Sequence, residues 1–279
     1  MAYDIHISSA PARFELKLGE VWRYRDLIGF MVRRSFVLTY KQTVLGPAWL
    51  FLQPLGASAL NAIVFGEIAA IGTDGIPQYL FYLLGTALWG LFASSMMSNA
   101  SVFTSNAYIF GKVYFARLTV PIANTIVCIL RFLLQMLIVM VFLVWYTVHG
   151  LVHPVWKYWL FLPLVMLVLA LLGMSMGMVA SCLTAKYRDF GFLAGAICRL
   201  WMYATPVVYP LSQLRNPLLL RLVRYNPITA PFEFFRFLMA GKGAVDPVML
   251  MIGVTVTVLC FLGSVLLFNR VEKDFIDKV

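Results

Sequence analysis

Residues 184–210 read TAKYRDFGFLAGAICRLWMYATPVVYP, with three charges, Lys186, Arg188 and Asp189, set directly before a mostly apolar run that Pro206 and Pro210 close. A chain turns round at the water-facing edge of a bilayer in this way. The charges stay in the headgroup region, and an apolar helix of about 20 residues crosses the hydrocarbon. The same grammar, a charged or turn-forming break followed by a long apolar run, recurs along the chain and sets out its topology.

The composition agrees. Of 279 residues, 62% are hydrophobic and 12% charged, against about a quarter charged in an ordinary soluble domain. A soluble fold is excluded on that ground, and an integral membrane protein is expected. The 22 Lys and Arg against 12 Asp and Glu give a formal charge of +10. Here that excess marks cytoplasmic loops beside anionic lipid. No basic patch with interleaved aromatics lies outside the apolar runs, so no nucleic-acid partner is expected. Cys128, Cys182, Cys198 and Cys260 all fall in or at the ends of apolar runs and read as small buried hydrophobes. The N-terminus lacks the basic-then-apolar pattern of a cleaved signal peptide, because its first run of spanning length begins only after Leu45.

Read in order, the pattern predicts an all-α polytopic membrane protein with six transmembrane helices, at about 47–70, 78–102, 118–148, 159–183, 190–209 and 247–268. A cytosolic tail and an amphipathic interface helix occupy 1–45, the membrane domain 46–270, and a second cytosolic tail 271–279. On a 100° wheel Val21, Tyr24, Leu27, Ile28, Met31, Val32, Ser35 and Leu38 share one arc, and Arg23, Asp26, Arg33 and Arg34 the other. This is a helix lying in the inner interface or, alternatively, a soluble surface helix. Gln53 and Pro54 interrupt the first span, whose start should bend or pack tightly. Gly173 and Gly177 form a small-xxx-small face for close helix packing, and Gly191 and Gly195 repeat the spacing. Between the fifth and sixth spans, 217–223 and 231–240 are apolar but too short to cross, and read as re-entrant or interfacial helices.

Basic residues orient the spans. The N-terminal region, the 103–117 and 184–189 loops and the C-terminal tail hold 14 Lys and Arg, the opposite side 6, which places both termini in the cytosol. Against the rule, the outer segment 210–246 carries Arg215, Arg221, Arg224, Arg236 and Lys242.

Catalytic chemistry is not expected. Neither Gly111-Lys112-Val113 nor Gly241-Lys242-Gly243 fits a phosphate-binding loop. His6, His149 and His153 are scattered, so no metal site is expected, and no serine has a base and acid at helical spacing. Energy must come from a partner or an ion gradient. No Asp or Glu sits at mid-span, and Glu67 lies near the outer end of the first span, which disfavours proton or sodium coupling. Arg131, with Gln135 one turn on, and Arg199 lie roughly 15–20 Å into their spans. A charge at that depth contacts an anionic or hydroxylated substrate in a cavity, or forms a structural pair with Glu67 or helix carbonyls. Trp49, Phe51, Trp89, Trp201, Tyr203 and Tyr209 offer flat faces for sugar rings, although Trp and Tyr also gather at membrane interfaces generally.

Several pieces in order carry a resemblance: Tyr40-Lys41-Gln42-Thr43-Val44-Leu45-Gly46-Pro47-Ala48-Trp49 with Leu52-Gln53-Pro54-Leu55; Ala185-Lys186-Tyr187-Arg188-Asp189; Thr205-Pro206-Val207-Val208-Tyr209-Pro210; and Tyr225-Asn226-Pro227 followed by Arg236 and Gly241. From about residue 20 to 270 the chain resembles the permease subunit of ABC exporters of the polysaccharide, O-antigen and teichoic-acid type. The resemblance implies a homodimeric, channel-forming permease of the cytoplasmic (inner) membrane, paired with two separate ATP-binding subunits that hold ATP and Mg; no cofactor is implied in this chain. It implies a lipid-linked glycan as substrate. Coupling to the ATPase would fall on Lys112, Lys186, Tyr187, Arg188 and Asp189. The channel would involve Trp49, Phe51, Arg131, Arg199, Trp201, Tyr203 and Tyr209. Contact with lipid or phosphate at the exit would fall on Arg215, Arg221, Arg224 and Arg236. A drug or small-lipid exporter, or an uncoupled scaffold or scramblase, are the competing readings.

Overall fold

The computed structural model of the protein describes residues 18–41, 45–110, 112, 115–187 and 189–276, and among these every regular element is helical. The chain opens with α1 (Leu18–Arg23) and α2 (Arg25–Tyr40). Most of the predicted apolar arc is covered, whereas Leu38 at its end is exposed. Val21 is buried, and Tyr24, Leu27, Ile28 and Met31 pack with Phe115, Leu118 and Phe268 at one end of the molecule, while Arg23, Asp26, Arg33 and Arg34 stay exposed. The partner of that arc is protein: α2 runs along α6 (Thr119–Val148).

A turn at Gly46–Ala48 leads into α3 (Trp49–Asn61), which continues as a π-helical stretch, Ala62–Ile68. Pro54 sits inside α3 and cannot donate to the preceding turn. Its own carbonyl accepts from Ser58 Oγ at 2.6 Å, and that hydroxyl lies 2.8 Å from Thr86 Oγ1. Thr86 belongs to α4 (Gln78–Ala100), so the proline-weakened turn is tied to its neighbour. There follow α5 (Val102–Phe110), α7 (Leu162–Lys186, entered through the turn Trp156–Phe161), α8 (Asp189–Tyr203), α9 (Pro217–Arg224), α10 (Thr229–Ala240) and α11 (Pro247–Ile276).

Among the described residues five stretches are long and apolar enough to cross a membrane: Gly46–Ile68, Gln78–Ala100, Thr119–Val148, Trp156–Lys186 and Pro247–Val271. Among the described residues five helices, α3, α6, α7, α8 and α10, pack against α4. Its spanning window is 72% buried, against 11% for Gly46–Ile68. Enclosure explains why α4 is apolar on every side, whereas the first span presents most of its apolar surface outward.

The α4–α7 contact depends on glycine. A methyl group on Gly173 would stand 2.6 Å from the Phe92 carbonyl oxygen, and one on Gly177 would stand 2.7 Å from Asn99 Cβ and press on the Met96 carbonyl. Without side chains the two backbones meet, and Ser95 Oγ donates to the Ala170 carbonyl at 2.8 Å across the seam. Gly191 and Gly195 do not repeat this. Their nearest neighbours to an added methyl, Thr184 Cγ2 and Met97 Cε, lie at 3.7 Å, ordinary contact.

Three boundaries differ from the sequence reading. The predicted fifth span, 190–209, is the 15-residue α8, about 22 Å long, followed by a turn. Thr205 precedes a proline, which disfavours helical geometry there, and Pro206 cannot continue the ladder. The 184–189 loop shrinks to a junction, since α7 runs through Lys186 and α8 starts at Asp189. At the C-terminus α11 continues to Ile276, past the predicted end of the span at 268. The two short apolar patches become α9 and α10.

Candidate functional site

A cavity of about 690 Å³ lies between α3, α4 and α6, reaching Thr39 on α2 and Met202 on α8. Its lining is mixed: apolar side chains such as Leu50, Leu60, Leu91 and Phe132 supply most of the surface, and Gln53 and Asn61 from α3, Thr86 and Ser94 from α4, and Arg131 and Gln135 from α6 place polar groups among them. Trp49 and Trp89 add aromatic faces. Arg131 and Gln135 share a wall because residues four apart on a helix lie one above the other. The Arg131 Nη2 donates to Thr39 Oγ1 at 2.7 Å. Its Nε is shielded from solvent and has no hydrogen-bond partner among the described residues.

Of the predicted channel residues the cavity gathers Trp49 and Arg131. The others lie apart. Phe51 is half-buried on α3, and Trp201 meets Phe92 edge-on at 5.8 Å. Arg199 is exposed on α8 beside exposed Ile197 and Leu200, on the face turned away from the bundle. Neither Arg131 nor Arg199 pairs with Glu67 among the described residues. Tyr203 is exposed, and its carbonyl accepts from the Tyr209 hydroxyl at 2.9 Å. Asn61 and Thr86 have no signal in the sequence, since uncharged polar residues scattered over two apolar spans show no period, and Gln53 stands out there only as an interruption of the first span; the fold brings them to one space.

The predicted coupling residues occupy two exposed places at the end of the molecule that holds the α2 cluster. Lys186 closes α7, with its ammonium 5.2 Å from the Tyr187 ring centroid, and Asp189 opens α8. Each charge has the sign that complements its helix terminus. The Tyr187 and Phe190 rings meet at a tilt, their centroids 6.0 Å apart. Beyond α5, Lys112 lies 3.7 Å over the Tyr108 ring centroid and donates to its hydroxyl. Arg188 lies outside the described residues.

At the opposite end the backbone that leaves α8 is held by a polar node. Thr205 Oγ1 donates to the Trp201 carbonyl at 3.0 Å, and Asn226 Nδ2 donates to the Ala204 carbonyl and to Thr205 Oγ1, both at 3.1 Å. Carbonyls freed by the broken helix are thereby satisfied, as buried irregular backbone requires. The next carbonyl, Val207, lies 2.6 Å from where a methyl on Gly85 would be. It accepts from Arg236 Nη2 at 3.1 Å. Gly85 is seven residues into α4, about 10 Å along its axis. Asn226→Ala removes three hydrogen bonds, counting the one that Asn226 Oδ1 accepts from the Ile228 amide at 3.2 Å. A loss of about 1–3 kcal/mol is expected, read as a lowered midpoint when the purified protein is heated and its folded fraction followed by gel filtration.

Arg236 was expected at the surface, in contact with lipid or phosphate, and the structure places it inside. Its side chain is 3% exposed, with Nη1 3.0 Å from Glu233 Oε1 and the guanidinium 3.9 Å over the Phe81 ring centroid. The other carboxylate oxygen of Glu233 accepts from the Ala244 amide at 3.1 Å. Burial pushes the Arg236 pKa below its ordinary value, and the Glu233 carboxylate opposes that shift. The sequence carries a signal for this pair: Glu233 and Arg236 are three apart on one helix.

The remaining outer cations divide. Arg215 and Arg221 are exposed. Lys242 donates to the Gly75 carbonyl at 2.9 Å, and Arg224 bonds to Asp246 at 2.6 Å. The Arg224 hydrogen bond, aided by the amides of Met249 and Val248, holds the Asp246 carboxyl below the usual carboxylate range. A depressed carboxylate stabilises above its unfolded pKa and loses that contribution as pH falls through its folded one. The protein should therefore lose thermal stability on acidification through the lower carboxylate range, and Arg224→Ala should shrink that slope in a thermal-shift series against pH.

A profile of the ABC-2 type transporter family matches residues 26–240, ending with α10. The O-antigen export system permease protein RfbA of Myxococcus xanthus is 22% identical over 265 residues, covering 93% of this chain and 98% of that protein. Two proteins of the same name from Klebsiella pneumoniae are 26% identical over 206 residues, covering 74% of this chain and 76% of theirs, and 23% identical over 253 residues, covering 90% and 94%. The family match spans more than half of the chain, and five of its helical stretches are apolar enough to cross a bilayer. This multi-pass membrane protein belongs to the ABC-2 type transporter family.

Proposed function

We propose that the chain is the channel-forming permease subunit of an ATP-driven exporter that moves a lipid-linked polysaccharide across the cytoplasmic membrane, both termini cytosolic. The observation that carries this reading is similarity to three O-antigen export permeases, over nearly the full length for two of them and about three quarters of it for the third. Hydrolysis belongs to two ATP-binding subunits, which hold ATP and Mg and press on Lys112, Lys186, Tyr187, Arg188 and Asp189. The exposed position of the described members of this set, at the end where α5, α7 and α8 meet water-facing breaks, supports that assignment.

In this reading α8 and the buried turn after it make the sixth crossing, with the turn covered by α4 and α10 so that no irregular backbone meets lipid. A second copy of the chain covers the open face of α3 and the face of α8 that carries Arg199, Leu200 and Tyr203, and the channel runs between the copies. Arg215 and Arg221 on the outer side draw phosphate to the exit. Domain limits of 1–45, 46–270 and 271–279 follow from the same topology.

Deleting the gene tests the reading. Lipid-linked glycan should accumulate at the cytoplasmic leaflet and surface polysaccharide should fall by at least about tenfold, as for a step with no parallel route. Unchanged surface polysaccharide contradicts it. A charge swap at the junction, Lys186→Glu with Asp189→Lys, should leave protein level unchanged and uncouple ATP hydrolysis from export, measured as ATPase activity of the purified complex with and without substrate.

A further inference from the structure

We propose that the cavity between α3, α4 and α6 binds the phosphate-bearing headgroup of a lipid, with Arg131 as its anchor. The charge balance carries the argument. Among the described residues that line the cavity Arg131 is the one full charge, and none of them is Asp or Glu. A guanidinium has five N–H donors and no acceptor. One nitrogen here is bonded to a neutral threonine hydroxyl and another, Nε, has no partner among the described residues. A cation framed by apolar spans without a counter-charge is costly, and an anion brought into the cavity relieves that cost.

The donors around Arg131 narrow the class. The amides of Gln53 and Asn61 on α3 and of Gln135 on α6 line one space with it, whereas the hydroxyls of Thr86 and Ser94 there already donate to carbonyls of their own helix. The three amides with Arg131 fit an anion with several acceptor oxygens, which Arg engages in a fork. A phosphate or pyrophosphate has that shape; a carboxylate would leave most of these donors unused. The space, about 690 Å³, exceeds what one phosphate needs, and its framing by spanning helices leaves the ligand's apolar tail in contact with the membrane. Phosphate on a lipid satisfies both conditions. The source is either the pyrophosphate anchor of the exported glycan or a resident glycerophospholipid. Only the first choice rests on the export reading above.

The test uses the full-length protein, purified in detergent, with four probes: undecaprenyl pyrophosphate, phosphatidylglycerol, phosphatidylcholine and inorganic pyrophosphate. Binding is followed by native mass spectrometry and by the shift in thermal midpoint. At least one of the two anionic lipids should bind at least about tenfold tighter than phosphatidylcholine, and Arg131→Gln should remove that preference, as expected for loss of a charge-assisted bond. Gln135→Leu, on the same wall without touching the charge, should weaken binding by a smaller factor and guards against misfolding of the arginine variant. Selective binding of undecaprenyl pyrophosphate identifies the export substrate, and selective binding of phosphatidylglycerol identifies a resident lipid. Equal binding of phosphatidylcholine, an anionic preference that survives in Arg131→Gln protein of normal stability, or inorganic pyrophosphate binding as tightly as either lipid overturns the proposal. Export in the deletion strain is a separate measurement, so failure of the export reading leaves the outcome with phosphatidylglycerol interpretable.

Discussion

Arg236→Ala should destabilise the folded chain by about 3–5 kcal/mol, the typical penalty for stranding one member of a buried ion pair. The Glu233 side chain is 6% exposed and would lose its counter-charge, and the Val207 carbonyl would lose its donor on the same substitution. Since a domain has about 5–15 kcal/mol in total, this removes a large share of its stability, and the folded fraction should be lost at a markedly lower temperature. The readout is the monodisperse fraction on gel filtration after a temperature ramp. Arg236→Lys should rescue only in part, because one ammonium cannot reach Glu233, the Val207 carbonyl and the Phe81 face in the way that a planar fork does. Replacing both members, Glu233→Leu with Arg236→Met, should recover much of the loss, since apolar residues of similar volume leave no buried charge. An alanine variant as stable as the parent protein would refute the assigned role.

Gly177→Val should separate α7 from α4. Its branched side chain would enter space already taken by the Met96 carbonyl and Asn99 Cβ, and neither backbone can rotate away. Overpacking at such a seam costs about 3 kcal/mol, and the Asn99 network would be displaced with it. Asn99 Nδ2 donates to the Ser95 carbonyl at 2.8 Å and to Thr125 Oγ1 at 3.0 Å, which links α4 to α6. Gly191→Ala is the matched control. With 3.7 Å of clearance, it should be neutral or stabilising by up to about 1 kcal/mol through helix propensity. Equal losses for the two variants, compared by heated gel filtration, would mean that the α4–α7 seam is no tighter than the α8 surface.

The two glycine pairs show what sequence alone conveys. Both have the small-xxx-small spacing, and nothing in residues 173–195 tells a central seam from a helix facing outward; the distinction lies in which helix sits opposite. The amphipathic arc of α2 was legible because one period of 3.6 over sixteen residues states its own buried side, although not that the partner is α6. Spans of mean hydropathy as high as 2.7 declare themselves by length. The fifth did not: apolar composition continues through Val207 and Val208, and Thr205-Pro206 stops the helix without altering hydropathy. Arg236 was counted with the outer cations because charge was tallied by segment. Its spacing from Glu233 held the correction, and depth in the fold settled it. The cavity had one legible member pair, Arg131 and Gln135, because they share a helix; its other polar residues converge from α3 and α4 across distances in sequence that no local pattern records.

ATP-driven translocation by the complete transporter tests the central claim most directly. The chain, purified with its ATP-binding partner, would be placed in sealed vesicles whose outer leaflet models the cytosolic side and carries lipid-linked polysaccharide accessible to an added glycosidase. On adding Mg-ATP the polysaccharide should become protected in proportion to ATP hydrolysed, and the Lys186→Glu with Asp189→Lys variant should hydrolyse ATP without conferring protection. Protection that proceeds equally without ATP, or ATP hydrolysis by the parent complex that never protects the glycan, would contradict the account.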